Sequence, residues 1–221
     1  MTRWQLFGAI AFLVSGIQYL LAEAIAASAW TSPPYSYAIN YISDLGVPGC
    51  PAEYGGRAIC SPLAPVMNAG FLLEGVLFSL ASIVLFRMSS RRVRVIFLTF
   101  ALVHGIGIVL VALFNEAGGV LLFAAVSVHV VGATMAIVGG NIAIIVGGFA
   151  GPVWFRVVSW ALGGIGLVSV ALLEFSSVAP DGILERGGVY PVTVWQILVG
   201  VSLLAVTFRR PRAPARRRIA Q

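Results

Sequence analysis

Six stretches of this chain meet or approach the length of a bilayer crossing. A crossing needs about 20 apolar residues, at about 1.5 Å rise per residue over a hydrocarbon core of about 30 Å. The stretches run from Trp4 to Ala29, Leu63 to Phe86, Val93 to Phe114, Val120 to Val146, Val153 to Leu173, and Tyr190 to Phe208. The pattern predicts an all-α membrane protein: one six-helix transmembrane bundle over residues 1–208, followed by a polar tail, residues 209–221. If every stretch crosses once, the connection Arg87 to Arg94, the turn before Arg156 and the tail fall on one side. The other side receives the segment carrying Asp44, the Glu116 turn and the loop from Glu174 to Arg186, with only Arg57 and Arg186 as cations. By the positive-inside rule both termini are cytoplasmic and the Asp44 segment is a long extracytoplasmic loop. Ala27-Ser28-Ala29 matches a signal-peptidase pattern, but the apolar run before it is too long for the usual hydrophobic region, so the first stretch is expected to be a span.

Composition agrees. Of 221 residues, 59% are hydrophobic and only 10% charged, too little charge for the surface of a soluble domain. The mean hydropathy is +0.98. All 14 basic residues are arginine, which suits a GC-rich bacterial genome and a place in the cell membrane. Six of them (Arg209, Arg210, Arg212, Arg216, Arg217, Arg218) crowd the tail and four (Arg87, Arg91, Arg92, Arg94) one connection. Clusters beside apolar spans are topology signals rather than a nucleic-acid footprint. The tail, with Pro211 and Pro214 against a continued helix, is expected to meet anionic lipid headgroups. Oligomeric state is not legible.

The segment from Tyr35 to Pro62 is rich in turn formers, including Pro33 and Pro34 just before it and Gly46, Pro48, Gly49, Pro51, Gly55 and Gly56 within it. A connection of that length is either functional or loosely ordered. It holds both cysteines, Cys50 and Cys60, on the oxidising side, so a disulfide is expected; closing the loop would stabilise its ordered state by about 2–3 kcal/mol. Two unpaired thiols, or ligands for an extracytoplasmic metal, are the alternatives.

Polar residues inside apolar spans are where chemistry is expected. Glu74, His104 and His129 each lie about ten residues from the outer end of their stretch, about 15–17 Å deep, so the three should face inward and meet. Glu23 and Asn68 are shallower, and Glu116 and Glu174 sit at outer ends. Glu74, His104 and His129 are the candidate acid/base groups. Ser43, Asp44, Asn68, Glu23, Glu116, Glu174, Arg57 and Arg186 are candidate binding residues around an outward cavity, with Asp44 orienting His104 or His129 or meeting a headgroup. Each also has a plainer role: His129 shares a face with Gly132, Ala133, Ala136 and Gly140, where helices approach closely, and Ser43-Asp44-Leu45-Gly46 is turn chemistry. No compact metal spacing, nucleophile elbow or phosphate loop is present, and no metal or cofactor is predicted.

The run Tyr41-Ile42-Ser43-Asp44-Leu45-Gly46, then Asn68, His104-Gly105-Ile106-Gly107, His129-Val130-Val131-Gly132-Ala133, Gly140-Asn141, and Glu185-Arg186 followed by Trp195, resembles the prokaryotic membrane proteins of the domain of unknown function 998 family. The resemblance covers nearly the whole chain and implies a six-helix membrane protein with no assigned activity. Where the family pattern has Pro before the acid, this chain has Phe114-Asn115-Glu116. The Ile-Ser-Asp element is also distantly similar to the Frag, DRAM and Sfk group, some of whose members are linked to lipid remodelling. The residues admit three functions: binding or processing of a lipid-like molecule in an outward cavity, proton-coupled transport of a small molecule, or a non-catalytic membrane scaffold.

Overall fold

The computed structural model describes residues 2–54, 56–119, 121–123 and 126–209. Six helices, α1 (Arg3–Ala29), α2 (Ala64–Leu85), α3 (Arg91–Leu113), α4 (Val128–Gly147), α5 (Val153–Phe175) and α6 (Asp181–Arg209), are each long and apolar enough to cross a membrane. Helices suit that solvent because every backbone N–H and C=O inside them is paired within the segment. Neighbours in sequence pack against each other, and α1 closes onto α6, so the six form a ring. Two short antiparallel pairs cap one end: β1 (Ala52–Tyr54) with β2 (Arg57–Ile59), and β3 (Leu121–Phe123) with β4 (Val126–Ser127).

The helices are built for lipid rather than water. On α5 the buried residues are Ser159, Gly163 and Gly166, while Val157, Trp160, Ile165 and Val168 face out. Small residues inward let backbones approach, and large apolar ones outward meet hydrocarbon. The same device joins α3 to α4: a Cβ on Gly107 would lie 2.5 Å from both the Ala136 nitrogen and the Gly132 carbonyl oxygen. Below, Phe12, Phe78, Phe97, Ile144 and Trp195 fill the ring.

The segment between α1 and α2 is part of the core. A 3-10 turn, Ser43–Gly46, is buried throughout, and Ile42, Leu45 and Val47 are at most 1% exposed, packed with Tyr19, Met67 and Phe71. Ser61 Oγ donates to the Leu45 carbonyl (2.8 Å) and Asn68 Nδ2 to the Gly46 carbonyl (2.9 Å). The segment thus plugs the ring instead of hanging above it.

Two helix starts differ from the hydropathy pattern. The run from Val120 does not begin α4: Leu121 pairs with Ser127 and Phe123 with Val126, and the helix starts at Val128, where Ser127 Oγ accepts from the Val130 N–H (3.2 Å). A short apolar run cannot tell strand from helix, and the N-cap decides it. At the other end of the sequence, α6 begins at Asp181 rather than Tyr190, so Glu185 and Arg186 are helical, not in a loop. Their charges are met by protein partners, which removes the need for water. The tail residues 210–221, with their arginines, lie outside the described residues.

Gly107→Ala forces the α3–α4 backbones apart. Overpacking of this kind costs about 1–3 kcal/mol, and a lowered melting temperature in detergent with the helical signal retained at 20 °C would register it.

Candidate functional site

The capping segment converges on Arg57. The disulfide between Cys50 and Cys60 closes the chain just beyond the β1–β2 pair, whose register sets Ala52 opposite Ile59 and Tyr54 opposite Arg57. From β2, Arg57 Nη2 reaches Asp44 Oδ1 at 2.8 Å and Glu116 Oε1 at 3.3 Å, and its guanidinium lies 4.3 Å from the Tyr41 ring centre. Asp44 Oδ2 also accepts from the Tyr41 N–H at 2.9 Å. One guanidinium thus serves two buried carboxyls. Burial, then the adjacent Asp44 carboxylate, push Glu116 up to about 9. For Asp44 burial works upward, but the hydrogen bond shared with Glu116 and the contact with Arg57 outweigh it and hold the group below the usual range. At neutral pH the cluster is Arg57 cationic, Asp44 ionised and Glu116 protonated.

Of these groups Tyr41, Arg57 and Glu116 border a cleft of about 260 Å³. Its polar side is formed by Ser43, Arg57, Glu116, His129, Glu174 and Glu185; Ala133 and Ile137 of α4 with Val170 and Leu173 of α5 continue it as an apolar wall. His129, in the first turn of α4, has Nδ1 2.9 Å from the Phe114 carbonyl oxygen. A carbonyl only accepts, so Nδ1 carries the proton, and Nε2 of the neutral ring is left as a base.

Behind the cleft, α6 anchors the segment through adjacent residues. Glu185 accepts from the backbone N–H groups of Ile42 and Ser43. Arg186 pairs with Glu23 at 2.8 Å, donates to the carbonyls of Tyr37, Asn40 and Gly182, and bonds the Tyr35 hydroxyl. Glu23 accepts in addition from Tyr190 (2.9 Å). Every polar atom of this ion pair is spent on other protein groups, and neither residue borders the cleft.

Deeper in the ring, His104 Nε2 lies 3.1 Å from Glu74 Oε1, and His104 Nδ1 lies 2.7 Å from the Ala136 carbonyl oxygen. Nδ1 therefore carries a proton, and the Nε2–Oε1 contact holds one more, on either partner. Gln196 Nε2 approaches the same carboxylate oxygen at 3.5 Å. The cavity beside the pair measures about 20 Å³, room for about one water.

The structure accordingly divides the expected site residues. Ser43, Arg57, Glu116, His129 and Glu174 meet at one cleft with Asp44 behind Arg57. Asn68, Glu23 and Arg186 instead hold backbone and partner charges, and Glu74 pairs with His104 away from the cleft. The expected meeting of Glu74, His104 and His129 does not occur, because the late start of α4 leaves His129 at the cleft instead of deep in the ring. Asp44 hydrogen-bonds neither histidine; its partners are Arg57, Tyr41 and Glu116. Among the described residues no three His, Cys, Asp or Glu side chains gather as metal ligands. Glu185, Tyr41 and Tyr54 border the cleft unexpectedly. The signal for Glu185 was its place beside Arg186, once both are on a helix.

Arg186→Gln should destabilise the fold by about 3–5 kcal/mol, since it leaves the Glu23 carboxylate buried without its cation; thermal unfolding in detergent measures this. Glu116 gives a pH test. A carboxyl with a raised folded-state pKa stabilises fully below its unfolded value and loses that contribution as pH rises to about 9. The wild-type melting temperature should therefore fall between about pH 4.5 and 9 more steeply than that of Glu116→Gln, and parallel curves would contradict the assignment.

No curated protein and no solved structure matches the chain. A family sequence model, described as Protein of unknown function (DUF998), matches residues 11–202. That match takes in α2 to α5 whole, most of α1 and α6, the capping segment and the cleft, and the chain belongs to this family.

Proposed function

We propose that the cleft binds the polar head of an amphiphilic, lipid-like molecule, with the apolar part lying along α4 and α5. One observation carries this: a polar rim at Arg57, Glu116 and His129 shares one cleft with the apolar wall of Ala133, Ile137, Val170 and Leu173. A purely polar substrate would leave that wall unused, and a purely apolar one would leave the rim desolvated. By the positive-inside rule the cleft opens on the extracytoplasmic side of the cell membrane.

The chemistry offered there is proton transfer. Glu116, protonated at neutral pH, is the acid; His129 Nε2 is the base; Arg57 orients an anionic head. Lipid extracts of a deletion strain, complemented with wild type, His129→Ala or Arg57→Gln, test the proposal. The expected outcome is an altered profile that wild type restores and the variants do not, with all three proteins equally abundant in the membrane. Identical profiles in every strain would overturn it.

A second reading rests on the Glu74–His104 pair, which holds one exchangeable proton inside the ring. In proton-coupled transport this pair would load and release that proton. Proteoliposomes with a pH gradient would then show flux that His104→Gln abolishes, and no gradient-dependent flux from wild type would exclude it.

A further inference from the structure

At the end of the ring opposite the cleft lies a larger cavity, about 610 Å³, within the range of about 300–1,000 Å³ usual for ligand sites. Its walls are Phe86, Phe149, Trp154, Phe155 and Trp195, with Ser89, Ser90 and Ser202 as polar positions. Trp195 is fully buried at the back of this wall, and its indole N–H donates to Ser159 Oγ at 2.8 Å.

The charge around this cavity is of one sign. Arg156 follows Phe155, and its guanidinium stands 5.1 Å from the Phe149 ring centre, with Nε buried and without a hydrogen-bond partner. Arg94 donates to the Arg87 carbonyl (3.1 Å), between the wall residues Phe86 and Ser89. The chain has eight carboxyl side chains, Glu23, Asp44, Glu53, Glu74, Glu116, Glu174, Asp181 and Glu185, and none borders this cavity. Among the described arginines only Arg57 and Arg186 pair with carboxylates, and Arg87, Arg91, Arg92, Arg94 and Arg156 have no acidic partner. A buried guanidinium nitrogen with no acceptor, beside an apolar chamber and far from any carboxylate, calls for an anion that carries hydrocarbon.

We propose that this cavity seats an acyl chain of an anionic glycerophospholipid whose phosphate lies between Arg94 and Arg156. The aromatic walls exclude water and accept the chain, and the arginines select the charge. The site is separate from the cleft: the two share no residue. A lipid held here braces the start of α5 against the ends of α2 and α6.

Trp195 suits the test, because it borders the cavity and is buried from the outer surface of the ring. A full-length variant with Trp4, Trp30, Trp154 and Trp160 changed to Phe is reconstituted in nanodiscs. These contain either phosphatidylglycerol or phosphatidylcholine with brominated chains, at equal mole fraction. The proposal expects strong quenching by the anionic lipid, weak quenching by the zwitterionic one, and loss of the difference in Arg94→Gln/Arg156→Gln. Equal quenching by both lipids, or an unchanged preference in the arginine variant, would overturn it. No quenching by either would mean that the cavity is filled by the protein's own chain, which overturns it as well. Should the four-Phe background fail to fold, native mass spectrometry of the unaltered protein in mixed lipid gives the same decision. Phosphatidylglycerol should be retained over phosphatidylcholine, and the double arginine variant should lower that preference about tenfold or more, as expected for removal of two near-surface cations. Equal retention of the two lipids would refute the site.

Discussion

Arg186 is the cation around which the capped end of the protein is arranged. Its guanidinium lies among α1, α6 and the Tyr35–Asn40 stretch, meeting the Glu23 carboxylate on one side and backbone carbonyls on the other. A charge in that position is tolerable only when each of its donors has an acceptor, and the acceptors here come from α1, the Tyr35–Asn40 stretch and α6. The neighbouring Glu185 does the converse, accepting backbone N–H groups of the buried turn. Two adjacent residues of opposite sign on one helix therefore satisfy both kinds of backbone group in a segment that has few ladder bonds of its own. Hydrophobic burial of Ile42, Leu45 and Val47 adds to this but could not fix direction, since apolar contacts are not directional.

Once the segment is docked, the cleft follows. Asp44 is held by the Tyr41 N–H, Arg57 is delivered by a cross-linked hairpin, and Glu116 arrives on the turn after α3. Three ionisable groups from two connections meet because the helices beneath them fix where the connections begin. Burial, and then the adjacent Asp44 carboxylate, keep Glu116 protonated. Structural and chemical roles are divided cleanly: Arg186 has no donor to spare, whereas Arg57 is partly open to the cleft, with about a quarter of its side chain exposed.

Six helices were legible in the sequence because a bilayer imposes length and apolarity on each crossing, and both can be counted. Less legible was anything decided by local hydrogen bonding. The hairpin before α4 is as apolar as a span, and only the Ser127 cap distinguishes them. That single shift moves His129 from a supposed deep cluster to the cleft. The extension of α6 was hidden for the opposite reason: Glu185 and Arg186 look like loop residues until their partners are known. Arg57 and Glu116 were identifiable as polar groups near the same end, but their convergence depends on the β1–β2 register, which hydropathy does not encode. Tyr35 to Pro62, rich in turn formers, gave no hint that its middle is core.

The inverted packing of α5, with glycine and serine inward and large apolar side chains outward, sets the cleft's apolar wall of Val170 and Leu173 on a helix whose other face is made for hydrocarbon. A ligand of the proposed kind, lying along that wall, would partition first into the bilayer and move sideways into the protein. Its occupancy is then governed by mole fraction among lipids, not by aqueous concentration. Dilution of the surrounding membrane with inert lipid would weaken binding even when the amount in solution is unchanged.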